Sequence, residues 1–228
     1  MIRVAAVLAW LALAGCSPHA PAAQAGKPEV ALLTSLPIVF SEQFTLDAPA
    51  NPLRQALEQE VRLVPVDGPE QLGPGQQLLA IQPQALTAER LVALDRWVRD
   101  GGRLVLLADP RLEWESSRSL GDKFRPPFEF PDTGLLAHWG LTLAAGEEGP
   151  APARIGGTAV TVVSPGVFTA RGQDCRVADG GLVATCRLGK GQAIVVADAD
   201  WVLAGNGALD PGEAAKGYPA LIGYLRLR

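Results

Sequence analysis

Apolar positions along the chain fall into short runs separated by segments of longer period. Glu29–Thr34 (EVALLT), residues 61–66, Gln77–Ile81 and the RLVLLAD run at 103–109 are nearly continuous apolar stretches of strand length. Such runs are expected of strands covered on both faces. Between them the spacing changes to that of helices. One begins near Pro52, with Asn51 as its cap and Leu53, Ala56 and Leu57 on one face. A second starts after Thr87, turns Leu91, Leu94, Trp97 and Val98 inward, and stops at Gly101 and Gly102. Strand and helix in alternation predict an α/β fold: a three-layer, doubly wound, mostly parallel sheet.

The alternation breaks after Asp109. Residues 110–131 are polar and rich in proline, a lid or binding loop if ordered, with Trp114, Phe124, Phe128 and Phe130 either tacked to the core or exposed for a partner. A short helix ending at Gly140 and an outgoing strand follow. Residues 155–188 predict short antiparallel strands, a small β insertion. The GQAIVVADAD run at 191–200 returns to the parallel type, and 213–225 forms a closing helix.

The amino terminus has a different character. Arg3 precedes an apolar run over 4–14, too short to span a bilayer as a helix but suited to a signal peptide. Leu13, Ala14, Gly15 and Cys16 close it, and the segment resembles the lipobox of bacterial lipoproteins. The resemblance implies cleavage after Gly15 and acylation of Cys16, so that residues 1–15 are leader. With Ser17 next to the cysteine, it points to the outer membrane and a periplasmic face. Residues 16–28, containing the solvated His19, lack apolar periodicity and read as a flexible tether. One folded domain, 29–228, remains.

At 48% hydrophobic, 19% charged and a formal charge of −4, the composition is that of an ordinary globular domain. Basic residues are scattered, and the local group at Lys123 and Arg125 is diluted by Asp122 and Glu129, so nucleic acid is not an expected partner. Apart from Cys16, the cysteines are Cys175 and Cys186. A turn centred on Gly180 and Gly181 would place them opposite each other, and in an oxidising compartment a structural disulfide is expected. Two free core thiols or half a metal site are the alternatives.

The motifs LTSLP after the first strand, ALDRWVRDGGRLVLLADP in the middle and GKGQAIVVADADW near the end are similar to the GldG-like auxiliary domain of ABC-type transport systems. That resemblance implies the fold of class I glutamine amidotransferases and a partner in a transporter or another envelope protein. An amidotransferase needs a cysteine on a sharp strand-to-helix turn and a histidine within reach. Here both cysteines sit in a predicted hairpin, and His138, the only histidine of the folded part, reads as packing or capping at a helix end. Gly189, Lys190 and Gly191 lack the rest of a phosphate loop and read as a turn.

The remaining chemical candidates are Asp109, Asp198 and Asp200 at the carboxyl ends of predicted strands, where open α/β sheets bind ligands. They could converge on Thr34 and Ser35, giving an oxygen-rich cleft for a hard cation such as Ca²⁺ or Mg²⁺, or for a small polar ligand. The alternative is that each caps the following turn. The function expected is a non-enzymatic, lipid-anchored accessory or interaction module without a cofactor. A ligand- or metal-binding module is the second reading, and an amidotransferase-like hydrolase the third.

Overall fold

The structure, a computed structural model, describes residues 26–42, 49–205 and 208–226. The leader and Cys16 lie outside the described residues. Four of the apolar runs form β1 (Glu29–Thr34), β2 (Arg62–Pro65), β3 (Gln77–Ile81) and β4 (Arg103–Leu107). Between the first two lies α1 (Pro52–Glu60), where the Asn51 side chain accepts the Arg54 N–H at 3.1 Å and Pro52 occupies the first turn. Between the last two lies α2 (Ala88–Arg99), capped by Thr87 through the Arg90 N–H. It ends where Gly101 adopts φ +119°, a left-handed conformation that glycine takes without penalty.

Beyond β4 come α3 (Leu135–His138), β5 (Leu141–Ala145), β6 (Pro150–Ile155), β7 (Thr158–Val163) and β8 (Gly166–Ala170). They are followed by β9 (Cys175–Ala178), β10 (Val183–Leu188), β11 (Gly191–Val196) and α4 (Pro211–Arg226). The main sheet has seven strands in the order β2-β1-β3-β4-β11-β10-β9. The first five run parallel, while β10 and β9 add on antiparallel. Two small antiparallel sheets, β5–β8 and β6–β7, make up the β insertion.

Side chains of a strand alternate between its faces, and the core divides accordingly. Leu32, Ile81, Val105 and Leu107 pack with Leu53 and Leu57 of α1 and with Leu221 and Leu225 of α4. Leu33, Leu78, Leu104 and Leu106 pack with Leu94 and Val98 of α2 and with Leu135 and Leu136 of α3. Leu91 and Trp97, expected inward, are only half-buried, because Trp97 lies along the edge of the core and its indole N–H bonds the Gly73 carbonyl at 2.9 Å.

Cys175 and Cys186 face each other across the β9–β10 pair with an S–S distance of 1.98 Å. The register is the one expected, but the turn is longer. Ala178 and Val183 are the last pair, so residues 179–182 form a four-residue loop, with Asp179, Gly180 and Gly181 all at positive φ. Replacing both cysteines by alanine is expected to cost about 2–4 kcal/mol, read from urea unfolding with and without reductant.

The 110–131 segment contains neither helix nor strand, yet it is held at several points. Leu112 N–H bonds the Phe128 carbonyl, Phe130 N–H bonds the Asp109 carbonyl, and Leu112 and Trp114 are buried in the core. The aromatics divide between the two expected roles: Trp114 and Phe130 pack inward, whereas Phe124 and Phe128 are exposed.

Candidate functional site

The strand order places a switch of direction between β1 and β3, since the chain leaves β1 for β2 on one side and leaves β3 for β4 on the other. Ligands of open α/β sheets bind at the carboxyl ends of strands beside such a switch. A cleft of about 250 Å³ lies there. Its floor is Leu32, Thr34, Ser35 and Leu36 from the end of β1, its sides are Val66 and Asp67 after β2 and Gln84 after β3, and its mouth carries Phe40, Arg118, Lys123 and Phe124.

The hydroxyls on the floor also tie the strand ends together. Thr34 Oγ1 donates to the Ile81 carbonyl at 2.8 Å and accepts the Leu36 N–H at 3.0 Å, and Ser35 Oγ donates to the Gln82 carbonyl. At the mouth, Glu42 accepts from Ser116 and Ser117, and the Arg118 guanidinium donates to the Glu42 carbonyl at 2.8 Å. Partial burial alone would raise the Glu42 carboxyl, but these hydroxyl and N–H donors together hold it below its ordinary value. They also fasten the long segment to the β1 end, which positions Phe124. Its ring lies 4.7 Å from the Lys123 ammonium and 5.5 Å from the Arg118 guanidinium.

Gln82 connects this cleft to a second group of side chains. It is fully buried and sits at φ 39°, which is uncommon for a residue with a Cβ. The conformation is held from every side. Its backbone N–H bonds the Leu107 carbonyl, its carbonyl accepts from Ser35, its amide donates to Asp109 O and Pro127 O, and its Oε1 accepts the Asp109 N–H at 2.9 Å.

Asp109, at the end of β4, and Asp198 and Asp200, beyond β11, form that second group, and all three are fully buried. Five of the six carboxylate oxygens accept backbone N–H groups. Asp109 takes Arg111 and Ala199, Asp198 takes Val163 and Trp201, and Asp200 Oδ2 takes Glu113 at 2.9 Å. Asp200 Oδ1 has no hydrogen-bond partner among the described residues. Burial pushes the Asp109 carboxyl up to about 6 and, helped by the charge of Asp109, that of Asp200 to about 8. Asp198 rises well above the ordinary range because it is buried and faces both neighbours. One oxygen from each lies within 4.8 Å of the others, a spacing that protons shared among the carboxyls or a hard cation could compensate.

A match to the domain of unknown function DUF4350 spans residues 49–215, from the approach to α1 into α4. The chain belongs to this family. The match includes all three aspartates and leaves β1 outside it. No curated protein matches the sequence. Among solved structures, a cytoplasmic protein from Salmonella typhimurium LT2 is similar over 86% of this chain and 94% of its own, at 11% identity and a TM-score of 0.50. A protein described as ThuA-like from Bacteroides uniformis ATCC 8492 is similar over 91% and 94%, at 10% identity and 0.48. A beta-galactosidase from Rahnella sp. R3 is similar over 89% of this chain, at 15% identity and 0.49. This DUF4350 chain spans about a third of the length of the glycosidases it matches. At these identities the likeness concerns the α/β fold.

Within the DUF4350 chain, the five residues expected to share one cleft are divided. Thr34 and Ser35 open onto it, while Asp109, Asp198 and Asp200 are sealed beneath the 110–131 segment and β7, because backbone N–H groups from both draw the carboxylates inward. Asp109 and Asp198 each bond the turn after them, as the capping alternative required, whereas Asp200 bonds the remote Glu113 N–H instead. His138 ends α3 and lies 3.6 Å from Asp95, and Lys190 lies in the turn between β10 and β11. Gln82, Phe40, Asp67 and Arg118 are additions from the structure. Only Gln82 left a trace in the sequence, as a polar residue before proline at a strand end.

Proposed function

We propose that this DUF4350 protein is a non-catalytic accessory module of the bacterial envelope, tethered through a lipid on Cys16, and that it works by binding at the cleft beside β1. The observation that carries this reading is the position of the cleft, open at the switch of strand order and bordered by two exposed aromatic rings. The scaffold proposed is three-layered and doubly wound, as in flavodoxins and amidotransferases. Support comes from the two clusters that cover opposite faces of the strands with α1 and α4, and with α2 and α3. The GldG-like motifs favour a transport system or another envelope complex as partner, met on the periplasmic side of the outer membrane.

Several arrangements favour binding over an amidotransferase-type reaction. Cys175 and Cys186 face each other at bonding distance, His138 contacts Asp95 and Arg99 of α2, and the cleft hydroxyls donate to main-chain carbonyls. Among the described residues, no helix is long and apolar enough to cross a membrane. Membrane association in this reading therefore depends on Cys16. Cys16→Ala is expected to move the protein from the membrane fraction to the soluble fraction with its unfolding midpoint unchanged; retention in the membrane would contradict the tether.

The binding role is tested by crosslinking in the native envelope. Phe40→Ala with Phe124→Ala removes two exposed rings and leaves the core intact, so the double variant is expected to fold but lose its crosslinked complex. An unchanged crosslinking pattern would sink the cleft assignment.

A further inference from the structure

We infer that the cleft beside β1 takes a saccharide unit, a ligand with one apolar face and many hydroxyl groups. This deepens the proposed binding role and rests on the cleft assignment made there. Phe40 is 62% and Phe124 56% exposed, and both line the mouth. An exposed phenyl ring is a platform for the C–H face of a pyranose.

Around them stands a polar set dominated by acceptors. The Asp67 carboxylate bonds no other group among the described residues. Gln84 uses its amide N–H on the Arg125 carbonyl and keeps Oε1, and Ser35 Oγ donates to Gln82 and keeps its lone pairs. Lys123 supplies a donor without a carboxylate partner among the described residues.

Other ligand classes fit less well. A phosphate or carboxylate would face Asp67 and Glu42 and find few donors. An organic cation would suit the rings and Asp67 but meet Lys123 and Arg118. A purely apolar ligand would strip water from Asp67 and Lys123 without replacing its hydrogen bonds. A hydroxyl-rich ring donates to Asp67, Gln84 and Ser35, accepts from Lys123, and needs no net charge.

The test is a titration of the full chain, kept in detergent, with methyl glucoside and N-acetylglucosamine. Inorganic phosphate and butylammonium serve as comparison probes, with saturation-transfer NMR as the readout. Cosedimentation with purified cell-wall sacculi distinguishes a polymeric glycan from a free sugar as the source. A saccharide or the sacculi are expected to bind, with Phe124→Ala or Asp67→Asn weakening the interaction about tenfold and Phe128→Ala, an exposed ring outside the cleft, leaving it unchanged.

Saccharide binding that ignores Phe124→Ala and Asp67→Asn, or binding of phosphate or butylammonium alone, would overturn the assignment. If no saccharide binds but the Phe40 and Phe124 double variant still loses its envelope crosslink, the sugar class is wrong and the binding cleft stands. If neither effect is seen, both fall.

Discussion

Raising the pH from 5 to 8 is expected to destabilise the fold by several kcal/mol, because Asp109, Asp198 and Asp200 hold protons in the folded state that the unfolded chain has already lost. Each of the three has its carboxyl raised above the ordinary aspartate value, to about 6 for Asp109 and about 8 for Asp200, by burial first and then by its neighbours. The stability they contribute is therefore complete below the unfolded value of 3.8 and declines as the pH climbs through the folded values. Glu42 and Asp95 act in the opposite sense. Their carboxyls are lowered despite burial by hydrogen bonds, from Ser116 and Ser117 and from Arg99 and Trp139 respectively, so their contribution is lost only in acid. Between pH 5 and 8 the buried trio dominates. Asp200→Asn is the informative variant, because Asn keeps an acceptor for the Glu113 N–H and puts an amide where Oδ1 has no partner. It is expected to fold and to flatten the slope of urea-unfolding free energy against pH. Stability that rises from pH 5 to 8 in the unmodified chain would contradict this account of the trio.

Trp201→Ala is expected to cost about 3–5 kcal/mol, the range for deleting a large buried aromatic. Trp201 is fully buried in the cluster that joins β7, α4 and the sheet. Gly217 of α4 lies so close that a Cβ there would come within 2.7 Å of both the Trp201 ring and its carbonyl oxygen. Ring and glycine thus fix the approach of α4, and their neighbours have little freedom to collapse into the cavity left by the indole. The predicted loss is read as a drop in the urea midpoint. A change below about 1 kcal/mol would mean that the helix repacks without strain, against the packing described.

The strands β1 and β3 follow from their apolar runs residue for residue, and the caps Asn51 and Thr87 from side chains favoured at a helix start. The pairing of Cys175 with Cys186 was legible because register depends on symmetry about the turn, whereas the length of that turn depends on positive φ at Asp179 as well as at the glycines. The candidate site was half legible. Thr34 and Ser35 sit where a strand end predicts, but the burial of the aspartates depends on N–H groups of Val163 and Glu113, remote in sequence and carrying no motif. The mouth is equally non-local: Phe40 and Phe124 meet the same cleft because Glu42 binds Ser116 and Ser117, a contact that no periodicity announces.

The central claim is that the cleft beside β1 is the working surface of the protein. Its most direct test places a photo-reactive benzoylphenylalanine at Phe124 and, in a second strain, at Val92, an exposed position on α2 that does not line the cleft. After irradiation in the native envelope, an adduct is predicted from position 124 that disappears when Phe40→Ala is added, with none from position 92. Equal labelling at both positions, or an adduct from 92 alone, would contradict it.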